Sequence, residues 1–188
     1  MALFYVDLSI AMGGAGSSID PFGLTDFVAH TNIAHASNNE YRLKGIGDAA
    51  LDTLLLNSAE SNVITVRAWD LATFGPWRLH CKKLVIHQAD IIEQSIIETD
   101  GDMMLGIHHP TTVVRDSYLH NTAGIMIIRR VEGCSLIGTG SAKIYVGQTT
   151  QFYDSTVDHT YLIDVDESQV QFGHSATVIG DMSFPDIG

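Results

Sequence analysis

Asp116 and Asp154 each stand one place before a serine in a series of five, Ser95, Ser117, Ser135, Ser155 and Ser175, spaced 22, 18, 20 and 20 residues apart. Glycoside hydrolysis needs two carboxyl groups across the scissile bond, about 5 to 5.5 Å apart for retention or about 6.5 to 9.5 Å for inversion. If each serine marks one coil of a stacked chain, the two carboxylates lie two coils apart, roughly 9 to 10 Å by strand spacing. That is the outer limit of the inverting range. The same place in the other units holds Gln94, Cys134 and His174, a mixture that reads better as a solvated polar turn than as a reaction centre. Arg115 beside Asp116 is expected to lower that carboxyl's pKa, opposite to what a general acid requires. No serine sits in a Gly-x-Ser-x-Gly elbow, so the serines are expected to pack at a corner and hydrogen-bond to one another.

Other chemistry is equally thin. The nine histidines form no His-x-His, His-Glu-x-x-His or Cys/His finger spacing, although His108-His109-Pro110 could meet symmetry mates around a metal. Gly13-Gly14-Ala15-Gly16 lacks the lysine of a phosphate-binding loop, and the acidic groups Asp100-Gly101-Asp102 and Asp164-Val165-Asp166-Glu167 lack a calcium-loop spacing. No metal and no cofactor is expected. Cys81 and Cys134 read as free, partly buried thiols rather than a disulfide framework. An aromatic-rich stretch from Trp69 to Trp77, with Phe74 between them, offers large apolar anchors for a subunit or a glycan. A core role for these aromatics is the plainer reading.

The elements that must position these residues are short strands. Each unit opens on an apolar run: Leu84-Val85-Ile86, Met104-Leu105-Gly106-Ile107, Met126-Ile127-Ile128, Ile144-Tyr145-Val146 and Leu162-Ile163-Asp164-Val165. A period near 20 in such strands predicts a coiled, stacked chain. Ile97, Leu119, Ile137 and Val157, two places after their serines, are expected in the lumen. Ile92, Val114, Phe152 and Phe172, three places before, form another column, which Glu132 interrupts unless Val131 replaces it through a bulge. Residues 1–40 read as a strand, a glycine-rich loop and a short helix from Leu24, N-capped by Thr25 or Asp26, that together cap the first coil. Residues 41–180 form the solenoid and 181–188 a tail. Met182 and Phe184 in that tail are expected to cover the last coil or a neighbouring subunit.

With 45% apolar and 17% charged residues the 188-residue chain is a single folded domain, and its net charge of −12 would repel a phosphate backbone. Nucleic acid is not an expected partner. Met1 to Asp7 lacks the positive start and apolar run of a secretion signal, and no stretch approaches 18 apolar residues. Neither export nor a membrane is expected, and the protein is read as made in the cytoplasm.

The opening Tyr5-Val6-Asp7, the glycine-rich loop, Pro21-Phe22 and the coils that follow resemble right-handed parallel β-helix proteins of the pectate-lyase-like type, in particular short virion proteins and tailspikes of bacteriophages. The resemblance implies an all-β, right-handed parallel β-helix of about six to seven coils. It also implies a homotrimeric component of a phage virion, a capsid decoration or tail-associated protein with other virion proteins as partners. Family enzymes that cleave polygalacturonate carry a Gly-His-Gly and an Arg-x-Lys late in the chain. Here Gly173-His174 is followed by Ser175, and Arg42-Leu43-Lys44 lies far upstream. A depolymerase using Asp116 and Asp154, or a glycan-binding module using Trp69, Phe74 or Trp77, remains as the alternative.

Overall fold

Three parallel ladders run the length of the chain, and each coil adds one segment to each. A computed structural model describes residues 1–33, 38–58, 62–109 and 111–153 and five strands beyond them, with side chains through residue 142 except at 51. The first ladder holds β1 (Ala2–Asp7), β2 (Asn39–Lys44), β4 (Ile64–Ala68), β6 (Ala89–Glu93) and β9 (Val113–Arg115), then 130–132 of β11 (Ile125–Glu132), 151–153 of β13 (Lys143–Tyr153), and β16 (Gln171–Gly173). The second holds 46–49 of β3 (Ile46–Leu56), 77–81 of β5 (Trp77–Ile86), β7 (Ser95–Thr99), β10 (Tyr118–Asn121), β12 (Ser135–Gly138), β14 (Thr156–Asp158) and β17 (Thr177–Ile179). The third holds 53–56 of β3, 83–86 of β5, β8 (Met103–Leu105), 125–128 of β11, 143–146 of β13, β15 (Leu162–Asp164) and β18 (Met182–Ser183). The second and third ladders have seven segments each, so β1 precedes seven coils of an all-β parallel β-helix.

The columns follow from register. Tyr41, Val66, Ile92, Val114 and Val131 stack in the first ladder, each buried, and Phe152 and Phe172 continue the register. Leu79, Ile97, Leu119 and Leu136 fill the second, and Leu54, Leu84, Met103 and Met126 the third. Period-2 alternation puts these side chains into one continuous lumen, and coil-on-coil stacking removes them from water.

Two expectations shift by one residue. Leu136, not Ile137, lies in the lumen, and Cys134, not Ser135, stands below Ser117. The reason is the corner between the first two ladders, which takes one residue with a left-handed backbone: Gly45, Gln94, Asp116 and Gly133, with φ of 81°, 57°, 47° and 62°. Counting from Gly133 places Val131 in its column without a bulge and gives Cys134 the serine's place. Its Sγ donates to the Glu132 carbonyl (3.3 Å) as Ser117 Oγ donates to that of Arg115 (2.6 Å).

The N-terminal end is closed. The glycine-rich loop returns along the free edge of β1, where Phe22 N donates to Tyr5 O and Asp7 N to Phe22 O, both at 2.9 Å, so that edge is not left as an open template. Gly16 has φ of 76°, and a Cβ there would run into the Phe22 ring. Helix α1 (Leu24–Thr31) lays Phe27, 2% exposed, over Tyr41 at 5.1 Å between ring centroids. Its N-cap is Gly23 rather than Thr25 or Asp26. Asp26 falls in the first turn, where a carboxylate suits the helix dipole, and it accepts from Gly13 N. At the other end Met182, expected in a tail, pairs with Leu162 as the start of β18. Phe184 lies outside the described residues. Among the described residues no helix is long and apolar enough to cross a membrane.

Candidate functional site

Trp69 and Phe74 meet at the corner between the first and second ladders, near the capped end. The chain leaves β4 after Ala68, makes a one-turn helix, α2 (Leu71–Phe74), and resumes at Trp77. Asp70 caps that turn, accepting from Ala72 N (3.1 Å) and from Thr73 Oγ1 (2.6 Å), and Gly75 ends it with φ of 69°. The excursion folds back on the first ladder, so the rings of Tyr5 and Trp69 lie 4.8 Å apart and those of Trp69 and Phe74 5.7 Å apart. Lys44 Nζ sits 4.5 Å from the Trp69 ring and 4.9 Å from the Phe74 ring, and it pairs with Asp7 at 3.3 Å. Phe74 is 46% exposed, and Tyr5 and Trp69 are half-buried. A cation over aromatic faces beside a carboxylate is a surface suited to stacking a planar or sugar ring.

Trp77 is elsewhere. It is 2% exposed, heads β5 above Ser95, and its Nε1 donates to Glu93 O at 3.1 Å. It is core, and no partner can reach it. Tyr5 and Lys44 were not among the sequence candidates. The signal that finds them is register, since Leu43 pairs with Ala68 and so sets Lys44 beside Trp69.

Asp116 is exposed at its corner, with its carboxylate over Gly133 of the next coil. Arg115 points along the ladder, its Nε donating to Glu132 Oε2 at 2.6 Å, so its charge serves Glu132. Asp154 lies outside the described residues.

Ion pairs line the outer face of the first ladder, and contacts between histidines and carboxylates that of the second. On the first, Glu40 meets Arg42 (2.9 Å) and Arg67 (3.6 Å), Arg67 meets Glu93 (3.3 Å), and Glu132 meets Arg115 (2.6 Å) and Arg130 (2.7 Å). On the second, Asp48, His80, Glu98 and His120 occupy one register column. His80 lies 3.5 Å from Asp48 and 3.2 Å from Asp100, and His120 lies 3.6 Å from Glu98. Among the described residues no group of three His, Cys, Asp or Glu side chains is disposed to hold a metal. Asp102 instead accepts from Lys83 Nζ (2.7 Å) and Ile125 N (3.1 Å), and the Lys83 hydrogen bond holds its carboxyl below the ordinary range against the opposing effect of burial. His87 and His108 stack at 5.2 Å.

Both cysteines are buried thiols outside any disulfide. Burial, reinforced by Asp100, pushes the Cys81 thiol up to about 12, and burial pushes Cys134 up to about 11. Neither is a nucleophile near neutral pH. No protein family, no curated protein and no solved structure matches this chain.

Proposed function

We propose that this chain is a structural component of a bacteriophage virion, a capsid-decoration or tail-associated β-helical protein that works as a homotrimer with other virion proteins as partners. The observation that carries the reading is the filled lumen. Side chains from all three ladders form one continuous buried core through Leu136, so the fold gives its length to a stiff rod. The sequence resemblance to short β-helical virion proteins supplies the setting. Light scattering tests it: a mass near three times 20.4 kDa supports the trimer, and a monomer that shortens polysaccharide chains overturns it.

A second reading has one observation in its favour, the cluster of exposed Phe74 with half-buried Tyr5 and Trp69 around Lys44. Non-catalytic contact with a surface glycan would use those rings as a stacking platform. Titration calorimetry with host-surface oligosaccharides on wild type and on Trp69→Ala decides it, because heat that persists in the variant removes the platform from consideration. Depolymerisation through Asp116 and Asp154 is kept only if cleavage is observed and is lost in both Asp→Asn variants with folding intact.

A further inference from the structure

The outer face of the third ladder differs from the other two. Leu55, Val85, Met104 and Ile127 occupy one register column on successive coils, and Tyr145 and Ile163 continue the register. Leu55 is 42% exposed, Met104 and Ile127 are half-buried, and Val85 is only 5% exposed between its neighbours. Alternation in a strand with one solvated face places polar residues outward. Folding of the rod alone does not call for apolar residues on six successive levels of this column, which ends on Ser183. The charges beside it, Lys83 and Asp102, are already spent on each other at 2.7 Å.

We infer that this apolar column is the seam along which copies of the chain associate, side by side and pointing the same way. The inference rests on the homotrimer reading, because a threefold axis keeps the polarity of all three rods. Each coil then meets the same coil of its neighbours. On the first ladder that symmetry sets Arg67 against Arg67 and Glu93 against Glu93, and on the second it sets Glu98 against Glu98. Like charges brought together and desolvated oppose association. On the third ladder the same symmetry sets Met104 against Met104 and Ile127 against Ile127, which favours association. Among the described residues the third ladder brings the single pair Lys83–Asp102 beside its apolar column, where the outer face of the first carries ion-pair networks around Glu40 and Glu132 that would have to be desolvated.

The test uses the full chain in light scattering across a concentration series, with Ile127→Glu on the seam and Ile96→Glu, an outward residue of the second ladder, as the matched control. The expected result is a trimer for wild type and Ile96→Glu, and a monomer with unchanged circular dichroism for Ile127→Glu. A trimer that survives Ile127→Glu overturns the seam and leaves the homotrimer standing. A wild-type monomer at every concentration overturns both and assigns the face to a partner of another sequence. If Ile127→Glu does not fold, Met104→Cys replaces it. Oxidation should then link copies through this residue, whereas Ile96→Cys should stay unlinked; the reverse pattern overturns the seam.

Discussion

Asp116 and Gly133 hold the same corner on successive coils, both in left-handed backbone, and Asp116 Oδ1 lies 2.8 Å from where a Cβ on Gly133 would stand. Left-handed backbone costs a non-glycine residue about 1–2 kcal/mol. Asp116→Gly is therefore expected to leave stability unchanged or to raise it by up to about 1 kcal/mol, while Gly133→Ala should lower it by about 1–2 kcal/mol. Urea midpoints measure both. Marked destabilisation by Asp116→Gly would show that the carboxylate does more than occupy a turn.

Ser117 binds the coil before it. Its Oγ accepts from Ser95 Oγ (2.9 Å) and Ser95 N (3.2 Å) while donating to Arg115 O (2.6 Å), all in a buried corner. Ser117→Ala leaves buried donors on Ser95 without their acceptor and should cost about 1–3 kcal/mol. In a double-mutant cycle the pair Ser95→Ala and Ser117→Ala should cost less than the sum of the singles. Simple additivity would mean that the two hydroxyls do not interact.

Asp102 predicts the acid limb of stability. Its folded pKa lies below the ordinary carboxylate value, because of the hydrogen bond from Lys83 first, with Ile125 N and the Lys83 charge adding to it. A depressed folded pKa gives stability that is present above the unfolded value, about 3.9, and is lost as pH falls through the folded one. Asp102→Asn should lower stability at neutral pH and flatten the decline below about pH 4. An acid limb identical to wild type would assign that decline to other carboxylates.

The thiols give a test of the lumen. With Cys81 at about 12 and Cys134 at about 11, both from burial, a thiol reagent at pH 8 should find neither in the native protein and both in denaturant. Rapid labelling of the native chain would mean that the coils open readily at those levels.

Much of the architecture was legible because repetition is local. The apolar runs, the columns of Ile92 and Val114, and the capping loop could be found by counting along the chain. The one-residue error at Ser135 arose because residue type was followed instead of geometry. Cys134 is close to serine in size and makes the same backbone bond, and the glycine before it, not the serine after it, marks the corner. With that shift Glu132 no longer interrupts the first column. The aromatic cluster and the ion-pair ladders were not legible, since they join residues from different coils, such as Arg67 with Glu93 and Tyr5 with Trp69, whose meeting depends on register. Trp77 shares a stretch with Trp69 but belongs to the next strand, a distinction that composition does not carry.

The corner that needs one residue at Gly45, Gln94 or Gly133 takes residues 69–76 in another coil, and the ladders keep their register on both sides: Leu43 still meets Ala68, and Trp77 still meets Ser95. Chain length is thus elastic at this corner. A foreign sequence spliced between Ala68 and Trp77 would be carried on the flank of the rod without altering the lattice beneath it, which makes this corner the natural display port of the scaffold.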